Sequence, residues 1–170
     1  TSRLWERWYL LPAGTDVPTL DERLAALDGL ELWIDGKGVT FRLLPAVLAA
    51  LTAAGWTSVS VSTKSWWALR RIAGRADVRI YRSAGNRFER WLLEHLPSRV
   101  RLDGVVLHSR LLDEATVARL RRRFGSVVSW AIPDVATGRR LVGWGVTGLI
   151  VDDPEVLVGL QGVRARSGGD

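Results

Sequence analysis

The sequence predicts an α/β fold built on a parallel sheet, and three observations carry that reading. Six apolar strand-like runs each precede a helix-like run, at a spacing of about 20 to 28 residues, as a strand–loop–helix–loop unit demands. The strands tend to end in polar residues at the point where the next helix begins, which gathers polar chemistry along one rim. The pattern is clearest in the C-terminal third. There Val127-Val128-Ser129-Trp130-Ala131-Ile132 is a strand, Pro133-Asp134 opens an amphipathic run to Val142, and Gly145-Val146-Thr147-Gly148-Leu149-Ile150-Val151-Asp152-Asp153-Pro154 is a strand entering a helix.

Taken in order, residues Thr1 to Pro18 are loop-like: Trp5, Trp8 and Tyr9 give apolar weight, while Pro12, Gly14 and Pro18 break any period. Pro18-Thr19-Leu20-Asp21-Glu22 opens a short helix to Leu27, with Thr19 as cap and the two carboxylates at its positive end. Leu30 to Asp35 is strand-like and Leu43 to Ala54 helical, with leucine and alanine at helical spacing. Ser58 to Ser62 alternates and leads into a helix from Ser65 to Ala73. Val78 to Arg82 is a strand, followed by a helix from Arg87 to Leu96. Val105 to His108 is a short strand, and Asp113 caps a helix to Phe124. The whole reads as one domain over 1–170, with a loop and short helix over 1–29, the six units over 30–160 and a tail over 161–170. The units share no sequence identity, so the repetition is architectural and not a solenoid array.

Composition narrows the function classes. Apolar residues make up 47% and charged residues 25% of the 170, an ordinary globular balance. There is no cysteine, which excludes disulfide and thiolate chemistry but leaves the compartment open. No apolar run reaches the roughly 18 residues of a membrane span. The net charge is +6, and only Lys37 and Lys64 are lysines. The sharpest basic cluster, Arg119-Leu120-Arg121-Arg122-Arg123, spreads around a helix and reads as a solvated outer face. No zinc-finger, RNP or helix-turn-helix pattern accompanies it, so no nucleic-acid partner is expected.

Parallel strands with helical crossovers leave two topologies, an open doubly wound sheet or a closed eight-stranded barrel. Gly36-Lys37-Gly38 lacks the third glycine of a dinucleotide turn, and no Walker loop is present. Six visible units are two short of a closed barrel.

The segments Pro18-Thr19-Leu20-Asp21-Glu22, Ile34-Asp35-Gly36-Lys37, Val127-Val128-Ser129-Trp130 and Gly145 to Pro154, in that order and spacing, resemble the glycerophosphodiester phosphodiesterase family over about Pro18 to Leu157. The resemblance implies a (βα)8 TIM-type barrel, with six βα units visible and the first two missing. It implies metal-dependent hydrolysis of a small-molecule glycerophosphodiester, with calcium or magnesium as the divalent metal. It makes Asp35 the metal ligand, in place of the family's usual glutamate, and Lys37 the phosphate contact. Residues two apart on a strand face the same side, so Asp35 and Lys37 are expected together at the barrel mouth. Trp130 matches the tryptophan that lines the substrate pocket. Asp152 matches an aspartate expected to order a loop or cap the next helix. Ser62 and Lys64 end a strand at rim height, as does His108, whose expected role is that of a satisfied rim residue.

The sequence departs from the family where its catalysis resides. The His-Arg-Gly segment, the Glu-x-Asp pair and the second early histidine have no counterpart; the two histidines are His95 and His108. General acid–base work and a full metal shell need such groups. With no methionine and a start at Thr1, the chain is expected to be the C-terminal part of a hydrolase, inactive as it stands. The alternative is a non-catalytic relative that binds phosphorylated ligands or anionic surfaces. An incomplete barrel exposes strand edges, so a dimer mate or the missing N-terminal segment is expected to close it.

Overall fold

A computed structural model describes residues 31–36, 43–96 and 100–162. Six strands form one sheet in the order β1-β2-β3-β4-β5-β6, and every neighbouring pair is parallel. They are β1 (Leu32–Gly36), β2 (Val59–Thr63), β3 (Val78–Ala84), β4 (Gly104–His108), β5 (Ser126–Trp130) and β6 (Gly148–Ile150). A helix follows each: α1 (Leu43–Ala53), α2 (Trp66–Ile72), α3 (Arg87–His95), α4 (Glu114–Phe124), α5 (Val135–Gly143) and α6 (Pro154–Gly159). The sheet curls into a half-barrel. A flat sheet with strands about 4.8 Å apart would hold β1 and β6 some 24 Å from each other. Instead one cavity is lined by residues of all six strands or the loops that leave them.

Five helices start on a side-chain cap that fixes where the chain turns back. Ser65, Asn86, Asp113, Asp134 and Asp153 accept from the backbone N–H of Ala68, Glu89, Thr116, Thr137 and Glu155 in turn. Such caps are each worth about 0.5–2 kcal/mol. The backbone and side chain of Thr116 hold the Asp113 carboxyl below the usual carboxylate range.

Alternation along the strands divides the interior into an outer and an inner layer. On the outside, Val59, Val61, Val78 and Ile80 pack against Leu44, Leu48, Leu51, Leu69 and Ile72 of α1 and α2. Val105, Leu107 and Val127 pack with Val117, Leu120 and Leu141 of α4 and α5. On the inside lies a smaller layer: Tyr81, Val106 and Val128, with Trp33, Trp130 and Ile150 against it. Trp33 reaches across β2 to Tyr81, ring centroids 4.4 Å apart, because the β2 positions between them are serines.

Two sequence expectations are corrected. β5 was expected to run to Ile132, but it ends at Trp130 because Ala131 takes φ 56°, a left-handed conformation no strand continues through. The arginines of α4 are not simply solvated. Arg121 donates to the Gly145 carbonyl at 2.7 Å, and Arg123 donates to the carbonyls of Glu94 and Leu96, strapping α4 to the end of α3.

Gly104 opens β4 directly beside Tyr81 and Ser126 in the ladder. A Cβ there would stand 2.6 Å from Tyr81 Cε1 and 2.8 Å from Ser126 Cβ. Gly104→Ala should cost about 1–3 kcal/mol through overpacking. Urea denaturation checks this; an unchanged midpoint would contradict the close approach of Tyr81 and Ser126 to Gly104.

Candidate functional site

The cavity opens at the C-terminal ends of the strands and has a volume of about 680 Å³. β1 supplies Asp35, β2 supplies Ser62 and leads into Lys64, β5 supplies Trp130, and Asp152 follows β6. Five sequence candidates therefore share one space. Parallel strands bring them together because each ends at the same rim.

A relay fixes Asp35. Trp33 Nε1 donates to Ser62 Oγ at 3.1 Å, and Ser62 Oγ donates to Asp35 Oδ1 at 3.1 Å. The register pairs Asp35 with Ser62 across β1 and β2, so the contact follows from strand alignment. Lys37 lies outside the described residues, as do the Pro18 to Glu22 segment and the short helix that follows it.

Among the described lining residues, Lys64 brings a cation to the mouth. Its Nζ donates to Glu89 Oε1 at 3.0 Å, and Gly85 N donates to Glu89 Oε2 at 2.6 Å. Burial pushes the Glu89 carboxyl up, but the Gly85 N–H and the Lys64 ammonium outweigh it and hold it below the usual value. A Cβ on Gly85 would lie 3.1 Å from Lys64 Nζ and 3.4 Å from the Trp130 ring. The glycine thus lets an ammonium and an indole converge on one point. Sequence reasoning treats Lys64 as one basic residue among many, and nothing local reveals its partner.

Trp130 ends β5 half-buried, its ring 4.5 Å from that of His108 and tilted 51°. Ser109 Oγ donates to the Ala131 carbonyl at 2.6 Å and steadies the left-handed turn behind the indole. His108 Nδ1 accepts from Arg110 N at 3.3 Å, which places the neutral ring's proton on Nε2. Burial and the neighbouring Arg110 charge both push the His108 pKa below its ordinary 6.5. The folded state then binds this proton less tightly than the unfolded chain does. The associated stability is present above the ordinary value and is lost as pH falls through the folded pKa. An NMR titration should place the His108 midpoint below 6.5; a midpoint at or above it would contradict the packing described.

Asp152 lines the cavity, whereas its neighbour Asp153 caps α6 by accepting from Glu155 N at 2.8 Å. The capping role expected of Asp152 belongs to the next residue, because proline at the first helical position places the cap directly before Pro154. His95 sits on α3, stacked on Trp91 and away from the cavity. Arg82 escaped sequence reasoning altogether. It is buried on the outer side of β3 with its guanidinium 3.5 Å from the centre of the Trp66 ring. Burial lowers its pKa to about 10, against the raising influence of Glu89.

A divalent cation does not fit the described residues by themselves. Calcium takes roughly six to eight oxygens. Asp35 and Asp152 bring two carboxylates to the cavity, and no group of three histidine, cysteine, aspartate or glutamate side chains able to hold a metal exists among the described residues.

The sequence profile described as the glycerophosphoryl diester phosphodiesterase family matches residues 35–156. No curated protein matches the sequence. Among solved structures, an Oleispira antarctica phosphodiesterase in complex with the product sn-glycerol-3-phosphate is similar at a TM-score of 0.67 and 18% identity, over 84% of this chain and 61% of that one. A protein assigned as a glycerophosphoryl diester phosphodiesterase from Silicibacter pomeroyi gives 0.67 and 17%, over 85% and 57%. One assigned as a glycerophosphodiester phosphodiesterase from Galdieria sulphuraria gives 0.67 and 16%, over 94% and 70%. At such identities the structures speak for the shared fold. The chain spans less than two thirds of the length of the first two.

Proposed function

Because the chain belongs to the glycerophosphoryl diester phosphodiesterase family, we propose that its cavity binds the glycerophosphate part of a glycerophosphodiester. The observation that carries this reading is the convergence of the Lys64 ammonium and the Trp130 indole over Gly85, beside the Asp35 carboxylate. An ammonium is a point charge for a phosphate oxygen, and an indole face packs on the carbon side of glycerol. On binding, Lys64 exchanges Glu89 for phosphate, and Glu89 stays fixed by the Gly85 N–H. Asp35 supplies one oxygen, either to a glycerol hydroxyl or as one ligand of a calcium or magnesium ion. Lys37 is proposed as a second phosphate contact. The structure of the Oleispira relative with sn-glycerol-3-phosphate supports this choice of ligand.

The hydrolytic step is not assigned to this chain. His-Arg-Gly and Glu-x-Asp do not occur in its 170 residues, and among the described residues no histidine lines the cavity. The chain is therefore proposed to recognise and not to cleave. Calorimetric titration with sn-glycerol 3-phosphate should show saturable binding, tighter than that of glycerol or inorganic phosphate alone. No saturation, or turnover of a glycerophosphodiester by the chain, would overturn the reading.

A further inference from the structure

Six large apolar side chains stand exposed among the described residues, and three of them share two consecutive helices. Trp67 is 70% exposed in the first turn of α2, Phe88 is 67% exposed in the first turn of α3, and Trp91 is 49% exposed one turn further on. A helix that follows a parallel strand begins at that strand's C-terminal end. Trp67 and Phe88 therefore stand on the rim that carries the cavity mouth. Phe88 stacks on Trp91 with centroids 6.4 Å apart, and Trp91 on His95 at 4.9 Å, so the aromatic surface continues down α3.

Arginines interleave with these rings. Arg70 lies over the Trp67 ring, 5.5 Å from its centre, and Arg71 and Arg87 are exposed on the same two helices. Among the described residues no carboxylate pairs with Arg70, Arg71 or Arg87. The acidic residues of α2 and α3 are Glu89 and Glu94. Glu89 is held by Lys64, and Glu94 lies 3.6 Å from both Arg90 and Arg119. The outward face is therefore aromatic and cationic. It belongs to the second and third of six units, set in from both edges of the sheet, so closure of the barrel at those edges would not cover it.

We propose that this face of α2 and α3 docks on an anionic phospholipid surface with the cavity mouth beside the headgroups. The ligand class is then a glycerophosphodiester carried on a lipid, a refinement that rests on reading the cavity as a glycerophosphate site. Tryptophan and phenylalanine settle at the headgroup level, and unpaired arginines beside them are drawn to anionic lipid. A second copy of the chain fits less well. Two-fold pairing would set Arg70, Arg71 and Arg87 against the same arginines with no carboxylate between them.

Sedimentation of the full chain with phosphatidylcholine vesicles, with and without phosphatidylglycerol, tests this. Binding is expected only with phosphatidylglycerol, and should weaken at about 1 M salt, where the screening length falls to about 3 Å. The Trp67→Ala/Trp91→Ala pair should lower it at least about tenfold, and Arg70→Glu/Arg71→Glu should abolish it. Both double variants should titrate with soluble sn-glycerol 3-phosphate as the parent does, since none of these residues lines the cavity. Absence of vesicle binding, equal binding to neutral vesicles, or unchanged binding by the variants would overturn the docking surface. A concentration-dependent dimer lost in Trp67→Ala/Trp91→Ala would give the face to a second copy and also overturn it. Vesicle binding without soluble-ligand binding would leave the docking surface standing and remove the cavity reading.

Discussion

Lys64→Glu should weaken the binding of sn-glycerol 3-phosphate by roughly 30- to 100-fold. Charge-assisted hydrogen bonds contribute about 1.5–3 kcal/mol, and each 1.4 kcal/mol is about tenfold in affinity. Reversal does more than delete the contact. It sets a second carboxylate beside Glu89, where Lys64 Nζ now lies 3.0 Å from the Glu89 carboxylate. The cavity mouth loses the Lys64 cation and gains a carboxylate beside Asp35 and Asp152, and so repels the phosphate. Lys64→Arg should retain most of the affinity, because the charge remains. Calorimetry reads both variants, and thermal melting separates lost binding from lost folding. Parent-like binding by Lys64→Glu would move the phosphate elsewhere, with Lys37 the next candidate.

Leu107→Ala should lower stability by about 2–5 kcal/mol, a large share of the 5–15 kcal/mol typical of a domain. Leu107 has no solvent exposure and lies on the outer side of β4, in the cluster with Val117, Leu120, Val127 and Leu141. Strands on both sides and helices above leave the site little freedom to collapse, so the lost methyl groups leave a cavity. Leu157→Ala is the contrast. Leu157 is exposed on α6, and its truncation should stay within about 0.5 kcal/mol. Chemical denaturation of both variants decides. Equal midpoints would mean that the layer between β4 and α4 is not packed as described.

The architecture was legible because its signals are local. Apolar runs such as Val105-Val106-Leu107 have the length of buried strands, and the caps Asp113 and Asp134 stand where the helices start. The shared rim was legible for the same reason: Asp35, Ser62, Trp130 and Asp152 end or follow strands, and parallel strands end on one side. What escaped depends on residues far apart in the chain. The Lys64–Glu89 pair spans 25 positions and requires the bare backbone of Gly85 between β3 and α3. Arg82 looks like an ordinary strand-end cation until Trp66 of the preceding unit covers it. The end of β5 was missed because an alanine gives no hint of the φ of 56° adopted at position 131. Arg121 and Arg123 read as a solvated cluster because the carbonyls they meet, on Gly145, Glu94 and Leu96, leave no side-chain signature.

A crystal structure of this chain with sn-glycerol 3-phosphate puts the most at risk. The phosphate should lie about 2.7–2.9 Å from Lys64 Nζ, the distance of a charge-assisted hydrogen bond, with the glycerol carbons against Trp130 and Glu89 still on the Gly85 N–H. A ligand seated outside the space between Asp35, Lys64 and Trp130 would contradict the account, whatever its affinity.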